Sequence, residues 1–188
     1  MNIKTLIQAS LINAADLPDE GSQPGTIHHN RSKQLVEAIA AGFRREYTDQ
    51  PAVRVMSKHS SLNQSEFGLN ELLFDVLVCE IGKTPSARKV AELTYIIRAL
   101  WAVESEMARD TRQALFDFNK LVLASSANKL FVGPKVADPD AYLNVLLFPA
   151  RCCSSSVFVA LVPHPGLWGN CELSVDLWQL IDDTWRRI

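Results

Sequence analysis

The stretch Leu100 to Glu106, LWAVESE, ends an apolar run in two carboxylates, Glu104 and Glu106. Read as a β-strand, that spacing puts both acids on one face. Same-face carboxylates repel unless a proton or a cation lies between them, so this segment constrains its surroundings. Upstream, Glu71 to Ile81 (ELLFDVLVCEI) sets Asp75 in the middle of a Leu, Phe and Val run. An Asp so flanked costs stability unless it meets a partner. Two neighbouring strands carrying Asp75 and Glu104/Glu106 gather three carboxylates, an oxygen set suited to a hard cation such as Mg²⁺ or Mn²⁺. A divalent ion held this way, with open water positions, equips a protein to hydrolyse phosphodiesters.

The periodicity of the rest places these runs. Leu35, Ala38, Ile39, Gly42 and Phe43 fall at helical spacing, which predicts a helix over Arg31 to Tyr47, closed by Pro51. Val53 to His59 reads as a strand and His59 to Gly68 as a loop. The segment Ser86 to Glu106 fits a helix throughout, which would separate Glu104 from Glu106. The β-favouring Thr94-Tyr95-Ile96-Ile97 argues instead for a short helix from Ser86 to Leu93 and then a strand through Glu104. Thr111 to Ala124 is an amphipathic helix bearing Lys120, and Lys129 to Gly133 a short strand. Asp138 caps a helix that has Pro139 at its first position and runs to Phe148. Val157 to Val162 is an apolar strand, and Ser174 to Arg187 reads as a helix with Trp178 and Trp185 on one stripe. That stripe suits core or homodimer packing. Residues 1–30 read as an N-terminal arm, a short amphipathic helix followed by a Pro/Gly/Asp/Ser-rich linker, with His28-His29 in a loop. A single domain follows over residues 31–188.

An Asp in one strand, an acid-x-acid triplet at the end of the next, then a helix bearing Lys120 and a further strand resembles the PD-(D/E)XK nuclease superfamily. The resemblance covers roughly Arg31 to Val162. It implies an α/β fold, a mixed central sheet flanked by helices with a restriction-endonuclease-like core, built in the order helix, three strands, helix, strand. It implies catalytic roles for Asp75, Glu104, Glu106 and Lys120, and Mg or Mn as cofactor. Asp75, Glu104 and Glu106 would hold the metal, joined by an acid of the first helix, Glu46 or Glu37. Two positions depart from the family's pattern. Phe74 stands where Pro commonly precedes the Asp, and Glu106 stands where the triplet usually ends in the lysine that orients the attacking water. Lys120 is placed to compensate. The implied partner is nucleic acid, DNA ahead of RNA; the alternative is an inactive nuclease-like module that binds protein or nucleic acid.

Composition sets the limits of this reading. At 188 residues and 47% hydrophobic, the chain suits one well-packed domain. A net charge of -2 gives no global field for nucleic acid, so binding needs a local basic surface, for which Arg31, Lys33, Arg44, Arg45, Arg54 and Lys58 are candidates. Cys79, Cys152, Cys153 and Cys171 lack zinc-ligand spacing, and reduced thiols without a secretory signal fit a cytoplasmic location. The opening MNIKTLIQASLINAADL is too short and polar to span a bilayer, so no membrane association is expected.

Overall fold

Apolar side chains alternate along the central strands, and each sheet face so created is covered by helices. The computed structural model describes residues 1–18, 23–68, 71–87 and 92–188. Its elements run α1 (Ile3–Ala15), α2 (Pro24–Glu46), β1 (Val53–Ser57), α3 (Gln64–Phe67), β2 (Val76–Pro85), β3 (Glu92–Ser105), α4 (Thr111–Leu123), β4 (Asn128–Pro134), α5 (Pro139–Arg151), β5 (Ser156–Val162), a 3₁₀ turn (Pro165–Leu167), β6 (Asp176–Ile181) and β7 (Thr184–Arg187). The strands form one mixed sheet in chain order; β3–β4 and β4–β5 pair parallel and the other neighbours antiparallel. The fold is α/β, a mixed central sheet flanked by helices.

Val76, Val78, Trp101, Val103, Leu130 and Val132 point to the layer of α1 and α2. Leu77, Cys79, Ala102, Phe131, Val157 and Val159 point to the layer of α4 and α5. Among the described residues no helix is long and apolar enough to cross a membrane.

Several elements differ from the sequence reading. The helix expected from Arg31 begins at Pro24, so His28 and His29 are helical. Proline is at home in a first helical turn, which is why Pro24-Gly25 opens the helix where a loop was expected. Residues 1–30, read as an arm, supply Ile7, Leu11 and Ala14, all fully buried. The helix expected over Ser174 to Arg187 is instead the β6–β7 hairpin. Asp182 and Asp183 have φ of 49° and 58° and form its two-residue turn. Leu180 pairs with Trp185 and Trp178 with Arg187, so the i, i+7 tryptophans stand at diagonal positions on two strands and not along a helix. Both pack on the α5 side, where Trp185 donates to the Leu143 carbonyl at 2.8 Å. Of the helix expected over Ser86 to Leu93, residues 88–91 lie outside the described residues, while Glu92 and Leu93 already belong to β3.

If α1 is core and not appendage, Leu11→Ala should cost about 2–4 kcal/mol in chemical denaturation, the range for a buried leucine. A loss under about 0.5 kcal/mol, usual for a surface change, would make α1 peripheral.

Candidate functional site

The β2–β3 register pairs Val76 with Val103, and one step further out Asp75 stands against Glu104. Cross-strand neighbours of an antiparallel pair lie roughly 5 Å apart, so these carboxylates share one neighbourhood at the end of the sheet. Asp75 is 8% exposed; its Oδ2 accepts from the Ser105 N–H at 3.0 Å and its Oδ1 lies 3.4 Å from the Lys58 ammonium. The Lys58 N–H in turn donates to the Asp75 carbonyl at 3.1 Å, which ties the end of β1 to the start of β2.

Glu104 is 1% exposed. Alternation along β3 turns it, like Ala102, toward α4. Asp110 caps that helix by accepting from the Arg112 N–H, and Ala114, Phe118 and Leu121 bury one stripe against the sheet. The next row, Asp117 and Lys120, is thereby brought to the strand end. Lys120 Nζ lies 3.0 Å from Glu104 Oε2 and 2.8 Å from Asp117 Oδ1. Glu104 Oε1 is buried with no hydrogen-bond partner among the described residues.

The electrostatics are asymmetric. Burial, seconded by the Asp75 charge, pushes the Glu104 carboxyl up to about 7, with Lys120 opposing only in part. Burial also works against the Lys120 ammonium, but Asp117 and Glu104 together outweigh it and hold the group above an ordinary lysine. Lys120 has two acids to itself; Glu104 has one cation against burial and two acids. Glu106 accepts from the Ala108 N–H at 2.6 Å. Its carboxyl is also raised, chiefly by burial, and Asp117 and Asp75 add to the effect. The buried Tyr142 hydroxyl lacks a hydrogen-bond partner among the described residues, and its pKa is raised by burial and by the charge of Glu106.

In front of Asp75 and Glu106 lies a cleft of about 250 Å³ between α2 and the strand ends, with Lys33, Lys58, His59 and Ser105 also in its walls. The structure thus brings together Asp75, Glu104, Glu106 and Lys120. It does not bring Glu46, whose Oε1 is 3.3 Å from the Met1 amino group at the other end of α2. Glu37 reaches the end of β1, but its oxygens accept from Ser57 Oγ at 3.0 Å and the His59 N–H at 3.1 Å. Among the described residues no group of three or more His, Cys, Asp and Glu side chains is set to hold a metal. Lys58 was read from sequence only as a candidate for the basic surface, and Asp117 and Tyr142 were not singled out. Asp117 had a visible signal, three residues before Lys120 on one helix face; Tyr142 had none. No family model, curated protein or solved structure matches the chain at a significant level.

Because the Glu104 pKa is raised in the fold, the native state binds the extra proton between pH 4.5 and about 7, so stability falls as pH rises through that window. Glu104→Gln, which mimics the protonated acid, should flatten this part of the pH–stability curve and raise Tm at pH 8, relieving up to roughly 3 kcal/mol. Thermal unfolding of both proteins at pH 5 and pH 8 checks this. A Gln variant less stable than wild type at pH 8 would mean that Lys120 dominates Glu104.

Proposed function

We propose that this chain is a metal-dependent nuclease of the PD-(D/E)XK type, hydrolysing nucleic-acid phosphodiesters, in which Lys120 stands in for the triplet lysine that Glu106 replaces. The observation that carries the reading is the salt bridge from Lys120 on α4 to the buried Glu104 at the end of β3. An ammonium from the following helix meets the middle acid of the site, where the family's lysine would act from the strand itself. Apart from the four-residue α3 between β1 and β2, the succession α2, β1, β2, β3, α4, β4 is also the family's order of helix, three strands, helix and strand.

A divalent ion fits the chemistry of the donors. Glu104 Oε1 is a buried oxygen without a hydrogen-bond partner among the described residues, and Asp75 and Glu106 supply further hard oxygens. Asp75, Glu104 and Glu106 would hold Mg²⁺ or Mn²⁺, which when bound supplies Lewis-acid stabilisation and an acidified water. The side chains of the protein do the remainder. Lys120, 40% exposed and kept charged by two acids, presents its remaining N–H toward the scissile phosphate and offsets its developing charge. Lys58 at the cleft wall adds a second cation for the same phosphate. Asp75 fixes the strand end through the Ser105 N–H.

One observation favours a second reading, an inactive nuclease-like binding module. Lys58 and Lys120 already place one ammonium beside each of Asp75 and Glu104, so each acid has a counter-charge without an ion. Metal binding and catalysis separate the two readings. Carboxylate ligands must be deprotonated, so millimolar Mn²⁺ should raise Tm at pH 8 and much less at pH 5.5, and Asp75→Asn or Glu104→Gln should abolish the rise. Plasmid nicking with Mn²⁺ should vanish in Glu104→Ala. In Lys120→Ala it should fall about 10²–10³-fold while the metal-induced rise persists. An inert wild type that gains activity in Glu106→Lys would establish the module reading; inertness of both across metals and substrates would end the nuclease one.

A further inference from the structure

All four histidines of the chain gather at the end of the sheet where the acids lie. His29 and His59 line the cleft together with Lys33 and Lys58. His28 and His164 meet edge to face, ring centroids 5.5 Å apart. Burial lowers the His164 pKa, and the charges of Arg109 and His28 lower it further. Burial likewise lowers that of His59, where Glu37 and Asp75 oppose the effect and Lys33 and Lys58 add to it. Four separate pieces of chain converge here: the N-terminal half of α2, the segment after β1, and the loops after β3 and β5.

The convergence is built in. From Gly25 to Val36, α2 carries His28, His29, Arg31 and Lys33 and no acid. Arg31 donates to the Pro165 carbonyl at 2.6 Å and lies over the Trp168 ring, 5.8 Å from its centroid, fastening the loop after β5 to α2. Gly166 allows the close approach: a Cβ there would lie 2.8 Å from His28 Nε2. The loop is held so that His164 stands beside His28. Basic groups concentrated in this way repel one another; beside His59 the charges of Glu37 and Asp75 oppose that repulsion, whereas Arg109 and His28 both add to it at His164. The positive end of the α2 helix dipole lies toward the same edge.

We infer that this edge binds the phosphodiester backbone of nucleic acid, along a track from Arg109, His164 and His28 to Lys33, Lys58 and His59. Ammonium, guanidinium and imidazole N–H groups are the usual partners of phosphate oxygens and fix the position of a strand without reading its sequence. The track offsets the repulsion that the acids on the cleft floor would exert on an incoming phosphate. The choice of nucleic acid as the polyanion rests on the nuclease reading; the binding does not depend on catalysis.

The test is fluorescence anisotropy with fluorescein-labelled single-stranded and duplex oligonucleotides, on full-length Glu104→Gln protein in EDTA, where nothing is cut. Log K should fall linearly with log salt concentration, and Arg109→Ala and Lys33→Ala should each weaken binding and reduce the slope by about 1. Lys83→Ala, at the other end of β2, should change neither. Binding should tighten from pH 8 to pH 5.5 as the edge gains charge. Facing His164 are Arg109 and His28; facing His59 are Glu37, Lys33, Lys58 and Asp75, with Glu106 in the same cleft. To separate the imidazoles from the other groups of the cleft, His28→Gln/His164→Gln is compared with the parent and should lose part of that tightening while keeping its pH 8 affinity within about two-fold. Should the double variant perturb the loop, Arg109→Glu, on an exposed side chain, must still weaken binding. No binding at 50 mM salt, or equal losses in Lys83→Ala and Arg109→Ala, would overturn the inference. Intact binding by a wild type that never cleaves would sink the nuclease reading alone, whereas Mn²⁺-dependent cleavage with binding unmoved across the edge variants would sink this one alone.

Discussion

A carboxylate shut away from water survives only beside a positive charge, and at the end of β3 that charge is the Lys120 ammonium. The neighbourhood is arranged around this requirement. Asp117 steadies Lys120 from one turn before it. Ala114, Phe118 and Leu121 press α4 onto the sheet so that the lysine reaches inward. On the adjacent strand Asp75 has its own lysine and the Ser105 N–H. Two acids of like charge stand side by side because each is supplied with a separate cation from a separate element. The balance is incomplete at Glu104, one of whose oxygens has no hydrogen-bond partner among the described residues and whose carboxyl is pushed up to about 7. Incomplete charge compensation at a strand end is the kind of perturbation that marks functional sites more often than structural ion pairs.

The basic residues divide into those spent on structure and those facing the cleft. Arg44 bonds Ser57 Oγ at 3.0 Å, and Arg54 forms a two-pronged pair with Glu66 at 2.6 and 3.2 Å. Neither lines the cleft beside Asp75. Lys33 and Lys58 line the cleft, and Arg109 and the histidines extend their surface. A near-neutral chain can thus carry a strongly polarised edge, with acids on the floor and bases on the rim.

Much of this was legible in the sequence. Asp75 announced itself as the odd charge in an apolar run, and Glu104 and Glu106 as a same-face pair, because burial penalises isolated acids. The Asp138 cap and Pro139 start of α5 were readable for the same local reason, since capping involves only neighbouring residues. The β6–β7 hairpin was not, because seven-residue spacing of Trp178 and Trp185 suits two helical turns as well as a tight hairpin, and only the left-handed Asp182-Asp183 turn decides between them. Glu46 fell on the right helix and at the wrong end: the register of α2 against the sheet depends on where the helix begins, and it begins earlier than its polar first turns suggest. The gathering of His28 with His164 joins positions far apart in the chain and left no periodic trace.

Strand order in the sheet repeats strand order in the chain, so each strand as it forms finds its partner in the segment just before it. Helix α1 is the exception. Gln8 grips the backbone on either side of Ser174, Nε2 donating to the Leu173 carbonyl at 2.7 Å and Oε1 accepting from the Val175 N–H at 3.0 Å, across sequence separations of 165 and 167. Helix α1 is therefore enclosed in part by a segment 165 residues further along the chain. A sheet of chain-neighbour strands is thus closed by helix contacts spanning most of the sequence, and joining such distant segments costs more loop entropy than pairing neighbouring strands.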